Sequence, residues 1–218
     1  EAALLQTRVG AEEDCECMQW ANAYASGMVK CGDGLEREDK RLNISCDSPP
    51  GSGKPFFRTA SLTYCMKAMP ATLESEDAKK SKAGSWCYVS SECSHLNGGK
   101  AVNKDVSYKF CKEGMGDILG ELPPYYLFDA ARQAGGMNPK QLVAMAYDWV
   151  GPSASATEGS ALDATYDLGS NPLVGRSKQP DHLMVVYRGS VWEISDKKPT
   201  CMYACEPPEE LENPAGSE

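Results

Sequence analysis

GSWCYVSSECSHLNGGKAVNKDVSYKFC, residues 84–111, packs two β-rich runs and three cysteines into one short stretch. Trp86-Cys87-Tyr88-Val89 reads as one strand and Val106-Ser107-Tyr108-Lys109-Phe110-Cys111 as another. Both are rich in aromatic and β-branched residues, and Asn97-Gly98-Gly99 supplies turn chemistry between them. A small antiparallel element carrying cysteines on its strands therefore anchors the first half of the chain.

Toward the N-terminus the period changes from two to three and four. Cys17, Trp20, Ala21, Tyr24 and Met28 form one apolar stripe, which predicts a helix over residues 15–31. Asp14 suits its N-cap, and Gly32-Asp33-Gly34 suits its end. Residues 47–55 are a loop by composition. A second helix is expected over 56–69, with Phe57, Ala60, Leu62, Tyr64 and Cys65 on its face and Pro70 as its stop. Residues 74–84 read as a charged and polar linker, and a cysteine-rich domain spans 1–112.

Toward the C-terminus, residues 113–150 read as a helical hairpin packed on that domain. Pro123-Pro124 opens a helix over 125–134, and Gly135-Gly136 closes it. Asn138-Pro139 sets the N-cap and first position of a second helix over 140–150. Residues 151–181 have no sustained period and are expected to be an extended connection. A C-terminal β-hairpin over 182–205 follows, turning at Arg188-Gly189-Ser190, with Cys201 and Cys205 tying it back to the chain. Residues 206–218 form an acidic tail. The fold class is thus α+β and disulfide-rich, with helices, small antiparallel elements and a long irregular C-terminal segment.

Ten cysteines in 218 residues point to an oxidising compartment. Structural zinc usually asks for C-x₂₋₄-C knuckles or histidines, and here only Cys201-x₃-Cys205 fits, with His95 and His182 the sole histidines. Five disulfides are therefore expected among Cys15, Cys17, Cys31, Cys46, Cys65, Cys87, Cys93, Cys111, Cys201 and Cys205, and no metal site. Sequence leaves the connectivity open among about 945 pairings. Cys15 and Cys17 are too close to bridge one another and should take different partners. The expected pair nearest the opening stretch is Cys111 with Cys87 or Cys93.

Net charge −9 argues against nucleic acid, which needs a concentrated Lys/Arg surface. No apolar run reaches the 18 or more residues of a spanning helix. A chain beginning at Glu1 is what removal of a targeting peptide would leave, and Asn43-Ile44-Ser45 is a glycosylation sequon for a route through the ER.

Three constellations bear on function. Asp181-His182-Leu183-Met184-Val185-Val186-Tyr187-Arg188-Gly189 resembles the histidine strand of papain-like thiol hydrolases. That resemblance implies His182 as base, yet it requires an unpaired cysteine, and the family's Cys-Gly-Ser-Cys-Trp nucleophile motif is missing. Trp86-Cys87-Tyr88, Cys93 and Tyr108-x-x-Cys111 are loosely similar to kringle and fibronectin type II modules. This implies Trp86, Tyr88 and Tyr108 as a carbohydrate- or protein-binding platform, although aromatics beside bridges mostly pack over them.

The third covers the most chain. Cys15-Glu16-Cys17-Met18-Gln19-Trp20, the 84–111 stretch, Leu122-Pro123-Pro124 and Met145-Ala146-Tyr147 together resemble a cysteine-rich pattern of dinoflagellate proteins targeted to the secretory route or the plastid lumen. What the resemblance implies is a non-catalytic, peripheral subunit in the thylakoid lumen that binds a membrane complex, the photosystem I supercomplex with its antenna. No intrinsic cofactor is implied; chlorophyll or carotenoid contacts would arise only within the complex. Residues 151–218 lie outside this resemblance, and secretion is the alternative destination.

Overall fold

A computed structural model describes residues 14–39, 42–47, 55–68, 84–134, 137–149 and 172–205. Two sheets organise it. The first has three antiparallel strands in the order β1 (Met66–Lys67), β2 (Ser85–Ser90), β3 (Val106–Phe110), with Trp86 opposite Phe110 and Tyr88 opposite Tyr108. The second has five strands in sequence order: β4 (Asp148–Trp149), β5 (Leu173–Arg176), β6 (Leu183–Tyr187), β7 (Ser190–Ile194) and β8 (Pro199–Tyr203). Its β4–β5 pair is parallel and the rest are antiparallel. Helices and antiparallel sheets stapled by five disulfides make the chain α+β and disulfide-rich.

The core of the first half is aromatic. Trp20 meets Trp86 edge-on at 4.9 Å between ring centroids, and Trp86 meets Tyr88 at the same separation. Edge-to-face rings set positive rim against negative face, which adds about 0.5–1.5 kcal/mol per pair beyond burial. Gly34 passes so close that a side chain there would run into the Trp86 ring and the Tyr88 hydroxyl.

Both helices of this half are shorter than their stripes predict. Helix α1 covers only Trp20–Ala25, with Gln19 and not Asp14 at its N-cap. Cys15 and Cys17 are drawn away by bridges to Cys93 and Cys87, and the Met18 amide donates to the Tyr88 carbonyl at 2.8 Å. Gly27, in the left-handed region at φ 74°, follows its end. Helix α2 covers only Phe56–Thr59. The next residues instead serve α1: the amides of Trp20 and Ala21 donate to the carbonyls of Leu62 and Ala60. Trp20 Nε1 donates to the Tyr64 carbonyl at 2.8 Å, and Met66–Lys67 joins the sheet. Helical periodicity lost there to partners distant in sequence.

Helices α3 (Pro124–Gln133) and α4 (Pro139–Ala146) pack against one another, each with proline in its first turn. Asn138 Oδ1 accepts from the Lys140 amide at 2.9 Å, capping α4. The second helix was expected to run to 150 but stops at Ala146, because Asp148 and Trp149 pair with β5. Two phenols join this region to a 3₁₀ turn, Leu119–Glu121: Tyr147 donates to the Leu122 carbonyl and Tyr187 to that of Glu121, each at 2.6 Å. Lys67 and Asp148, 3.0 Å apart, link one sheet to the other.

The C-terminal region differs most from expectation. The hairpin β6–β7 is the middle of a five-stranded sheet, and part of the presumed extended connection is strand β5. Cys201 bridges Cys205, four residues away, so this bridge closes a local turn at Ala204 (φ 48°) and does not tie the end to the rest. Residues 151–171, the linker over 74–83, the 1–13 segment and the 206–218 tail lie outside the described residues. No described helix is long and apolar enough to cross a membrane.

Candidate functional site

A cleft of about 570 Å³ opens where the N-terminus of α4 meets the turn between β5 and β6. Helix α4 contributes Asn138, Lys140 and Gln141; the loop at Leu42 and Asn43 forms one wall, Trp149 another, and the 176–183 turn the third. The turn owes its shape to local bonds. The Ser177 amide donates to the His182 carbonyl, the His182 amide to that of Gln179, and Asp181 sits in the left-handed region at φ 64°.

Long side chains hold the walls together. Lys140 Nζ donates to the Asp181 carbonyl at 2.8 Å and lies 3.0 Å from Asp196 Oδ1. Gln141 Nε2 donates to the carbonyls of Leu42 at 2.8 Å and Asn43 at 2.9 Å. Across the helix, Arg37 Nη1 donates to the Ala144 carbonyl at 3.1 Å, and its guanidinium lies 5.7 Å from the centre of the Trp149 ring. Lys140, Arg176 and Lys178 line the cleft with Asp181 as the one lining carboxylate, on a chain of net charge −9. Arg176 and Lys178 are exposed. The cleft is locally cationic among the described residues, and its chemistry favours a carboxylate or other anionic group.

His182 lines the same cleft. Its Nδ1 lies 3.5 Å from Glu193 Oε2 without a hydrogen bond, and Glu193 Oε1 accepts from Ser177 Oγ at 2.6 Å. A carboxylate beside an imidazole can orient it, which is one part of thiol hydrolysis. The nucleophile is the missing part, since all ten cysteines are bridged. The thiol-hydrolase alternative has no thiolate in this structure.

The aromatic platform is not on the surface. Trp86 is 0 % exposed, Tyr88 1 % and Tyr108 9 %, so no ring of the three presents a face to a ligand. Tyr88 and Tyr24 both donate to Glu36 Oε1. Burial, reinforced by the Glu36 charge, pushes both phenols far above the usual tyrosine range. Burial does the same to Tyr147. These groups stay protonated in the folded chain and act as donors.

The bridges are Cys15–Cys93, Cys17–Cys87, Cys31–Cys46, Cys65–Cys111 and Cys201–Cys205. Cys15 and Cys17 do take different partners. The pairing of Cys111 with Cys87 or Cys93 is incorrect: Cys111 closes on Cys65, which the short α2 leaves at the edge of β1. Sequence reasoning also missed Lys140, Arg176 and Lys178. The signal for the last two was the charge of Arg176-Ser177-Lys178, hidden inside a segment without period. No family model, curated protein or solved structure matches the chain.

Proposed function

We propose that this chain is a non-catalytic, peripheral binding protein of an oxidising compartment, and that its cationic cleft receives an acidic segment of a membrane complex. The observation that carries the reading is the charge of the cleft: Arg176 and Lys178 stand exposed on its wall beside Lys140, which pairs with Asp196, and this local charge runs against the sign of the whole chain. Complementary charge of this kind orients a partner and speeds encounter. Five bridges suit a lumenal or secreted setting. The thylakoid lumen and the photosystem I supercomplex are the setting and partner implied by the sequence resemblance, with any pigment contact supplied by the complex.

Co-purification with detergent-solubilised thylakoid complexes tests the reading. Wild type should be retained at low salt and released as salt screens the cleft. The double variant R176E/K178E, altered only at exposed positions, should lose roughly tenfold or more in retention. A free monomer at every salt concentration, or unchanged retention of the double variant, would overturn it.

A further inference from the structure

Two of the five bridges are not separate. The sulfurs of Cys17, Cys65, Cys87 and Cys111 all lie within 4.8 Å of one another, and they form the only group of three or more His, Cys, Asp or Glu ligand atoms so close among the described residues. Across the two bridges, Cys17 Sγ is 3.2 Å from Cys65 Sγ, and Cys111 Sγ is 4.0 Å from Cys87 Sγ. Four thiolates around a tetrahedral zinc, each at about 2.3 Å, stand roughly 3.8 Å apart. The cross-bridge separations bracket that value. Each bonded pair would have to part by only about 1.7 Å to complete the tetrahedron.

Backbone hydrogen bonds as well as the bridges place each of these cysteines. Cys87 is in the middle of β2, opposite Lys109. The Cys111 amide donates to the Ser85 carbonyl at 3.0 Å. The Cys65 amide donates to the Asp117 carbonyl at 2.7 Å, and its carbonyl accepts from the Leu119 amide at 3.1 Å. The Met18 amide, next to Cys17, donates to the Tyr88 carbonyl. Cys65 and Cys87 are wholly buried, and Cys17 and Cys111 are 9 % and 5 % exposed, so the cluster has the closed surroundings of a structural site.

We infer that Cys17, Cys65, Cys87 and Cys111 form a redox-gated tetrathiolate site that, once both bridges are reduced, takes one divalent ion of the zinc class. Two dithiol reductant molecules supply four electrons and four protons; both S–S bonds break, four thiols form, and each reductant leaves as its own cyclic disulfide. Metal binding then displaces the four thiol protons to solvent, so uptake strengthens as pH rises. The inference is independent of the cleft and of any partner. It gives the chain two covalent states on one backbone, bridged where conditions oxidise and metal-clipped where they reduce.

Cobalt(II) titration of the full-length chain, reduced anaerobically with a phosphine, tests it. Phosphine reduction takes oxygen from water to form the phosphine oxide and leaves the thiols free. One cobalt per chain should bind with the intense visible ligand-field absorption of a tetrahedral tetrathiolate, and one equivalent of zinc should bleach it. C31S/C46S, lacking an outlying bridge, should keep the signal. C65S/C111S should weaken cobalt binding by more than about 100-fold, since the loss of even outer-shell partners costs 10–100-fold. C111H should retain one cobalt with the spectrum moved to that of three sulfurs and one nitrogen, a change that mere destabilisation would not produce. A reduced wild type without the tetrahedral spectrum overturns the inference, as does an unshifted spectrum in C111H, undiminished binding in C65S/C111S, or reclosure as Cys17–Cys65 and Cys87–Cys111 with no cobalt taken up.

Discussion

The three-stranded sheet and the five-stranded sheet are held by different means. Around the first, bridges span long loops: Cys15–Cys93, Cys17–Cys87 and Cys65–Cys111 join residues 78, 70 and 46 apart. The second has one bridge, across four residues, and otherwise depends on strand pairing and on the Tyr147 and Tyr187 hydroxyls that tie it to the 3₁₀ turn. A three-stranded sheet beside two short helices offers few backbone bonds per residue. Covalent links stand in for them. Five consecutive strands supply their own ladder, and the bridge beside them is local.

The largest expected effect follows from loop length. Closing a loop of 70 residues restricts the unfolded chain by about 4 kcal/mol, against about 2 kcal/mol for a loop of four. C17S/C87S should therefore lose about twice as much stability in urea unfolding as C201S/C205S. Equal losses would break the contrast between the sheets. Limited proteolysis under reductant should cut the three-stranded region before the five-stranded one.

How much of this was legible follows from which interactions are local. The β2–β3 pair was visible because both strands are rich in aromatic and β-branched residues and flank a turn at Asn97-Gly98-Gly99. The α4 start was visible because Asn138-Pro139 fixes it within two residues. The lengths of α1 and α2 were not, since what shortens them comes from afar: Cys87 and Cys93 for one, the α1 amides and β2 for the other. Strand β5, Leu-Val-Gly-Arg, is four residues long and has too little sequence to announce itself without β6 beside it. The cleft was the least legible of all. Its cations come from α4 and from the 176–183 turn, more than 30 residues apart along the chain.

A smaller effect per group separates the halves at alkaline pH. Tyr24 and Tyr88 in the bridged half, and Tyr147 where the halves meet, are buried phenols with folded pKa values raised above the unfolded value near 10. A raised tyrosine pKa means the native chain holds the proton more tightly than the unfolded chain. The stability this contributes is complete below about pH 10 and is lost as pH climbs from there toward the folded values, by about 1.4 kcal/mol per pH unit for each phenol. Unfolding above pH 10 should be steep and should coincide with phenolate absorption. Y24F/Y88F should flatten the slope by about two proton equivalents, leaving the contributions of Tyr147, Tyr187 and Tyr125. Ionisation of Tyr24 and Tyr88 ahead of unfolding would show that the aromatic core admits water.

The smallest expected effect is at the element both halves share. Helix α4 is bonded to the first half through Gln141 and Arg37 and to the second through Lys140, with Asn138 capping its first turn at the mouth of the cleft. Asn138→Ala removes the acceptor of the Lys140 amide and should cost about 1 kcal/mol, and Asn138→Asp, which keeps a capping oxygen, should restore most of it. Because α4 is fastened on both sides, the loss should be felt on both. Hydrogen exchange in Asn138→Ala should rise in β2 and in β6 by similar factors, of about fivefold if the two sheets open as one unit. Exchange that rises in β6 alone would mean that the sheets unfold separately, and the bridges of the first half would then protect only the half they are in.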